Sequence, residues 1–171
     1  MAAFPPVLAK EFLKILRNRG ARIVWDSKSF TIEDIFEIQP WLIKPNQEEI
    51  SDYLGCEIKT LSQVLEKAAV FTEHGVINTM VTLGEKGAAL LTKDKVYIAT
   101  CPVIVVVSTI GAGDSTIAGF LAGTYAGETA IGCLKTAVSF GTAACMTAGT
   151  LPPRKEDIEK IYAQICVSEV M

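Results

Sequence analysis

Apolar residues recur at helical spacing over residues 7–19, where Val7, Leu8, Phe12, Ile15 and Leu16 share one side and Gly20 supplies a stop. A short apolar run over 21–25 reads as a buried strand ending at Asp26. The alternation then continues along the chain. A helix is expected over 31–36, a strand over 41–43, a helical turn over 48–54 closed by Gly55, and an amphipathic helix over 61–74 capped by Gly75. A strand over 79–83 follows, and the runs 88–92 and 95–99 alternate about Lys93-Asp94 as a hairpin. The β-branched run 103–107 predicts a further, fully buried strand. Helices are expected over 115–125, 130–147 and 155–167. Strands that alternate with helices imply an α/β fold, a mostly parallel sheet with helices on both faces and ligands at the carboxyl ends of the strands. With no repeat or low-complexity linker, residues 1–171 read as a single unit.

Composition narrows the function classes. At 171 residues, with 50% hydrophobic and 20% charged residues, the chain can bury a sizeable core. A net charge of −3 argues against a general nucleic-acid or anionic-membrane binder. No apolar run reaches the roughly 18 residues of a membrane span, and Pro5-Pro6 stands where a signal peptide would be apolar, so a cytoplasmic location is expected. Cys56, Cys101, Cys133, Cys145 and Cys166 lack paired spacing and read as free, buried thiols. The sole histidine, His74, precedes Gly75 and reads as a helix C-terminal cap.

The chemistry concentrates at Ser108-Thr109-Ile110-Gly111-Ala112-Gly113-Asp114-Ser115. An apolar segment, a glycine turn and a helix start put free N–H groups where the helix dipole favours anions, which makes a phosphate seat. Only small residues let the backbone of Gly111, Ala112, Gly113 and Asp114 come close enough to act as an anion hole. A carboxylate there would repel phosphate, and the role that reconciles Asp114 with the seat is that of a base for an attacking hydroxyl. The spacing is not that of the P-loop.

Gly111-Ala112-Gly113-Asp114 in this setting resembles the signature of the ribokinase-like carbohydrate kinases of phosphofructokinase B type. The wider string is most similar to the 1-phosphofructokinase and tagatose-6-phosphate kinase branches. Three more matches appear in the family's order: Lys44-Pro45-Asn46-Gln47-Glu48-Glu49, then Thr82-Leu83-Gly84-Glu85-Lys86-Gly87, then 141–144 through Gly149-Thr150-Leu151-Pro152. The resemblance covers nearly the whole chain but corresponds to the C-terminal part of a family member. It implies a ribokinase-like fold whose N-terminal half and lid, with the sugar-binding residues, are missing from these 171 residues.

That resemblance implies ATP as co-substrate, a sugar phosphate as acceptor, and Mg²⁺ organised through water by Asn46 and Glu49. Lys44 would reach nucleotide phosphate, and Thr82, Gly84 and Gly87 would present donors to ATP. Val138, Ser139 and Gly141 would line the adenine pocket. Each has a plain alternative. Asn46 and Glu49 also fit an N-cap with a first-turn acid, Thr82 to Gly87 a strand-end turn, and Val138 and Gly141 close helix packing. The segment Asp26-Ser27-Lys28-Ser29 departs from the family's glycine-containing turn. A nucleotide-binding module without catalysis, and a kinase of another alcohol, remain alternatives to a phosphofructokinase-like enzyme. A homodimer through the missing lid, or self-association of the exposed half, is the expected assembly.

Overall fold

The structure, a computed structural model, describes residues 5–170. These form two compact units, one running up to Val81 and taking in Leu91–Asp94, the other comprising Thr82–Leu90 and the chain from Lys95.

In the first unit, short polar side chains set where helices start. Thr31, Asn46 and Thr60 cap α2 (Ile32–Ile38), α3 (Gln47–Leu54) and α4 (Leu61–Glu73), each in a reciprocal box with Asp34, Glu49 or Gln63 three residues on. Gly55 ends α3 at φ 60°, a left-handed conformation that costs glycine little. Strands β1 (Val24–Trp25), β2 (Leu42–Ile43) and β3 (Asn78–Thr82) are parallel neighbours in chain order, Trp25 opposite Ile43 and Ile43 opposite Thr79. Their side chains meet Ile35, Ile38, Ile50, Val64, Ala68 and Phe71 in one apolar core. The first helix, α1 (Pro6–Asn18), departs from the expected pattern: Val7, Leu8, Phe12 and Ile15 are half or more exposed. Ion pairs tie it to α2 instead, Lys10 to Asp34 at 2.6 Å and to Glu37 at 3.2 Å, and Lys14 to Glu37.

The second unit carries a 3₁₀ turn (Gly84–Lys86), then β4 (Ala88–Leu91) up to Leu90, β5 (Val96–Thr100), α5 (Ala112–Tyr125), α6 (Ala130–Ala144), α7 (Lys155–Gln164) and β6 (Cys166–Val170). The strands lie in the order β4-β5-β6, with β5 and β6 antiparallel from Val96 opposite Val170 to Thr100 opposite Cys166. Helices α5 and α6 pack closely because glycine lies at the crossing. A Cβ added to Gly119 would fall 2.7 Å from the Thr136 carbonyl oxygen, and one on Gly141 would fall 2.1 Å from Thr116 Oγ1.

Three expectations are corrected. Residues 103–107 form no strand and are not buried: Val103, Val105, Val106 and Val107 are exposed, and among the described residues only the Val107 N–H of these is bonded, to the Cys145 carbonyl at 2.8 Å. β-branched residues make a strand only where a neighbour completes the ladder. The last helix stops at Gln164, since residues 166–170 pair with β5, a non-local partner that no local pattern discloses. Finally, the five cysteines are free, but only Cys133 is buried, and Cys166 is exposed on an edge strand. No helix among the described residues is long and apolar enough to cross a membrane.

Candidate functional site

In the first unit the C-terminal ends of β1 and β2 deliver Asp26 and Lys44 to one pocket, lined also by Trp25, Ser27, Glu49 and Tyr53. Lys44 is 8% exposed, and its Nζ lies 3.5 Å from Asp26 Oδ1. A buried ammonium needs such compensation, and one carboxylate at that distance is a loose match that leaves the cation able to attract a further anion. Asn46 and Glu49 follow at the start of α3. Asn46 Oδ1 accepts the Glu49 N–H at 2.9 Å, and Glu49 Oε2 accepts the Asn46 N–H at 3.0 Å. The second oxygen of Glu49 faces Lys28 Nζ at 3.5 Å. The plain alternative for this pair, a helix cap with a first-turn acid, is therefore realised in full.

That cap also bears on magnesium. No cluster of three or more metal-ligating side chains occurs among the described residues. With one carboxylate oxygen taken by the cap and the other facing a lysine, Glu49 suits hydrogen bonds from metal-bound water better than direct ligation, which matches the reluctance of Mg²⁺ to shed water. The donor set fits the ion in that role.

Asp26 and Tyr53 are pocket residues that sequence reading passed over. Asp26 carried a signal as the acid closing a strand, and Tyr53 as the residue four beyond Glu49 on the same helix face. The Tyr53 hydroxyl donates to the Ser27 carbonyl at 3.0 Å. Burial raises its pKa, the negative charges of Glu49 and Asp26 add to the rise, and the neighbouring Trp25 indole opposes it.

In the second unit, Gly111 caps α5 with φ 81°, which lets the chain turn abruptly from the extended 101–107 segment into the helix. Ser115 N–H makes the first helical bond, to Gly111 O at 2.9 Å, and Ala112 N–H turns back to Thr109 O at 3.3 Å. Among the described residues the N–H groups of Gly111, Gly113 and Asp114 find no partner, so three of the four expected donors are free and Ala112 is already engaged. The Asp114 side chain is exposed and, among the described residues, makes no hydrogen bond or ion pair. This is an open nest of donors beside an unpaired carboxylate.

The remaining candidates sit in tighter surroundings. Thr82 ends β3, and Gly84 and Gly87 take φ 60° and 98° in a closed turn where Leu83 N–H bonds Gly87 O at 2.9 Å. A Cβ on Gly87 would fall 2.0 Å from the Ala99 carbonyl oxygen, so that glycine is required by the turn itself. Val138 and Gly141 are buried in the contact of α6, with Gly141 against Thr116. The packing alternative describes what surrounds them. His74, in the first unit, caps α4 as expected, its Nδ1–H donating to Val70 O at 2.7 Å while the ring stacks on Phe36.

Comparison with known proteins gives a consistent answer. A sequence model of the pfkB family carbohydrate kinases matches residues 2–157. The chain is 30% identical to the 1-phosphofructokinase of Vibrio cholerae serotype O1 over 153 residues, 90% of this chain and 48% of that protein. Among solved structures, a Staphylococcus aureus protein assigned as a phosphofructokinase superposes with a TM-score of 0.90 at 28% identity, over 99% of this chain and 55% of the other. Arabidopsis thaliana ribokinase complexed with ribose and ATP superposes with a TM-score of 0.80 at 24% identity, over 92% of this chain and 53% of the other, and shows the fold to be ribokinase-like. The chain spans about half the length of the relatives it matches.

Proposed function

We propose, from the premise that this chain belongs to the pfkB family of carbohydrate kinases, that it carries the nucleotide-binding and phosphoryl-transfer part of an ATP-dependent sugar-phosphate kinase, with a 1-phosphofructokinase-like preference. The observation that carries this reading is the set of free N–H groups at Gly111, Gly113 and Asp114 next to an unpaired Asp114 carboxylate. Phosphoryl transfer demands charge neutralisation on the moving group and a base for the attacking oxygen, and this loop supplies both from four consecutive residues.

In this mechanism the free N–H groups hold oxygens of the transferring phosphoryl group. Asp114 takes the proton from the sugar hydroxyl as its oxygen approaches phosphorus. Its side chain is exposed, and among the described residues no lysine or arginine pairs with it. Lys44 attracts nucleotide phosphate, and Asn46 and Glu49 accept hydrogen bonds from water around the Mg²⁺ that ATP carries, an ion that would shield phosphate charge. Thr82 and Gly84 are proposed to flank the nucleotide from the accessible side of their turn, with buried Gly87 shaping that turn.

Calorimetry of the 171-residue chain with ATP is the test. Weak binding that strengthens with Mg²⁺ is expected, whereas flat titrations with and without the ion on a folded protein would remove the nucleotide assignment. The exposed valines of 103–107 further support self-association of this chain. Light scattering that finds a stable monomer at high concentration would exclude it.

A further inference from the structure

The first-unit pocket depends on a loop, residues 26–30, that has almost no hydrogen bonding of its own. Within it Ser29 N–H bonds Ser27 Oγ at 3.2 Å, a local turn. Four contacts tie it to the rest of the unit: Asp26 to Lys44, Lys28 to Glu49, the Phe30 ring on Trp25 with centroids 4.6 Å apart, and the Tyr53 hydroxyl to Ser27 O. The two ion pairs are long, at 3.5 Å each, and Lys28 is largely exposed, so they hold position weakly. The Tyr53 bond is the one that grips the loop's main chain, and it does so from α3, the helix that also presents Glu49.

We infer that Tyr53 is a positioning residue: by fixing the Ser27 carbonyl to α3 it sets Asp26 against Lys44 and Lys28 against Glu49, and so tunes the pocket for phosphate. The inference rests on the nucleotide reading above. Two features of the pocket bear it out. Tyr53 lines the same pocket as Asp26 and Glu49, and the charges of both raise its pKa in addition to burial. And the buried Trp25 indole, 6% exposed, packs against the Phe30 ring of the loop with centroids 4.6 Å apart, so its environment reports where the loop sits.

That indole supplies a readout independent of nucleotide. The chain has two tryptophans, and a Trp41→Phe background leaves Trp25 as the sole emitter. In that background Tyr53→Phe should move Trp25 emission and raise the dissociation constant of Mg²⁺-ATP about threefold to tenfold, the scale of one lost hydrogen bond. Thr60→Ala, which removes the cap of α4 away from the pocket, should destabilise the chain while leaving both readouts unchanged. Unchanged Trp25 emission in Tyr53→Phe overturns the inference, as does changed emission with undiminished ATP affinity. If the parent chain itself binds no ATP, the nucleotide reading falls, and the anchor is then decided by emission alone: a shift upholds it, an unchanged spectrum overturns it.

Discussion

The Asn46–Glu49 corner of the first unit and the Gly111–Asp114 loop of the second are both helix starts with an acid in the first turn, and they solve the same local problem in opposite ways. At α3 the N–H groups of Asn46 and Glu49 are satisfied from within, because the two side chains cap each other, and Lys28 and Lys44 attend the nearby carboxylates. At α5 the capping residue is glycine, which has no side chain to offer, and the donors and Asp114 stay open. The first arrangement is stable without ligand and can double as a binding corner. The second gives up a side-chain cap, which with glycine in its place costs about a few tenths of a kcal/mol, and keeps its donors open, which is what a site of charge stabilisation requires.

The sharpest way to break this contrast is at Asp114. In a turnover-competent form, such as a chimera carrying the remaining half of the Vibrio cholerae relative, Asp114→Asn should lower turnover about 10²–10⁴-fold while ATP affinity stays nearly unchanged. Because among the described residues the side chain interacts only with the start of its own helix, thermal stability should fall slightly at most. Near wild-type turnover with fructose 1-phosphate and related sugar phosphates would deprive the loop of its base.

Gly113→Val tests the seat separately from the base. A branched side chain crowds the open donors, so both ATP affinity and rate should fall, affinity by about 10- to 100-fold if one or two charge-assisted bonds are lost. Calorimetry beside steady-state rates separates this pattern from that of Asp114→Asn. Loss of rate alone would mean that the donors do not hold phosphate.

At α3 the outcome should invert. Asn46→Ala removes a working cap and should cost about 1 kcal/mol of stability in denaturant unfolding. Glu49→Gln keeps a side chain able to complete the box, so stability should hold while the Mg²⁺ dependence of ATP binding weakens. Stability losses of equal size in both variants would reduce Glu49 to a structural residue.

The smallest effect concerns the clamp between α1 and α2. Lys10 holds the Asp34 carboxyl below its usual range, with backbone and hydroxyl bonds from Thr31 contributing less. A carboxyl depressed on folding stabilises the protein above its unfolded pKa, and that stability is lost as pH falls through the folded value. Unfolding midpoints should therefore decline modestly below about pH 4 in the wild type, and less in Asp34→Asn. Parallel declines in the two proteins would show the clamp to be inert.

Most of the fold was determined by sequence. Caps, glycine stops and helical spacing are local, so the helix starts after Thr31, Asn46 and Thr60, the turns at Gly55 and Gly87, and the strand around Met80 all lie within two residues of where the chain's pattern puts them. The glycine turn at Gly111 was legible for the same reason, since it needs only near neighbours, although α5 begins at Ala112, three residues before its expected start. What tertiary structure decided were features that need a partner distant in sequence. The 103–107 run has the composition of a strand but no neighbour to complete a ladder, while 166–170 becomes a strand because β5 is beside it. Asp26 and Tyr53 entered the pocket by the same route, because the turn after β1 and the second turn of α3 are brought together only when β1 and β2 pair. Local conformational preference acts over a few residues and can be read along the chain, but ladder hydrogen bonds, burial and pocket walls are relations between segments and arise only on folding.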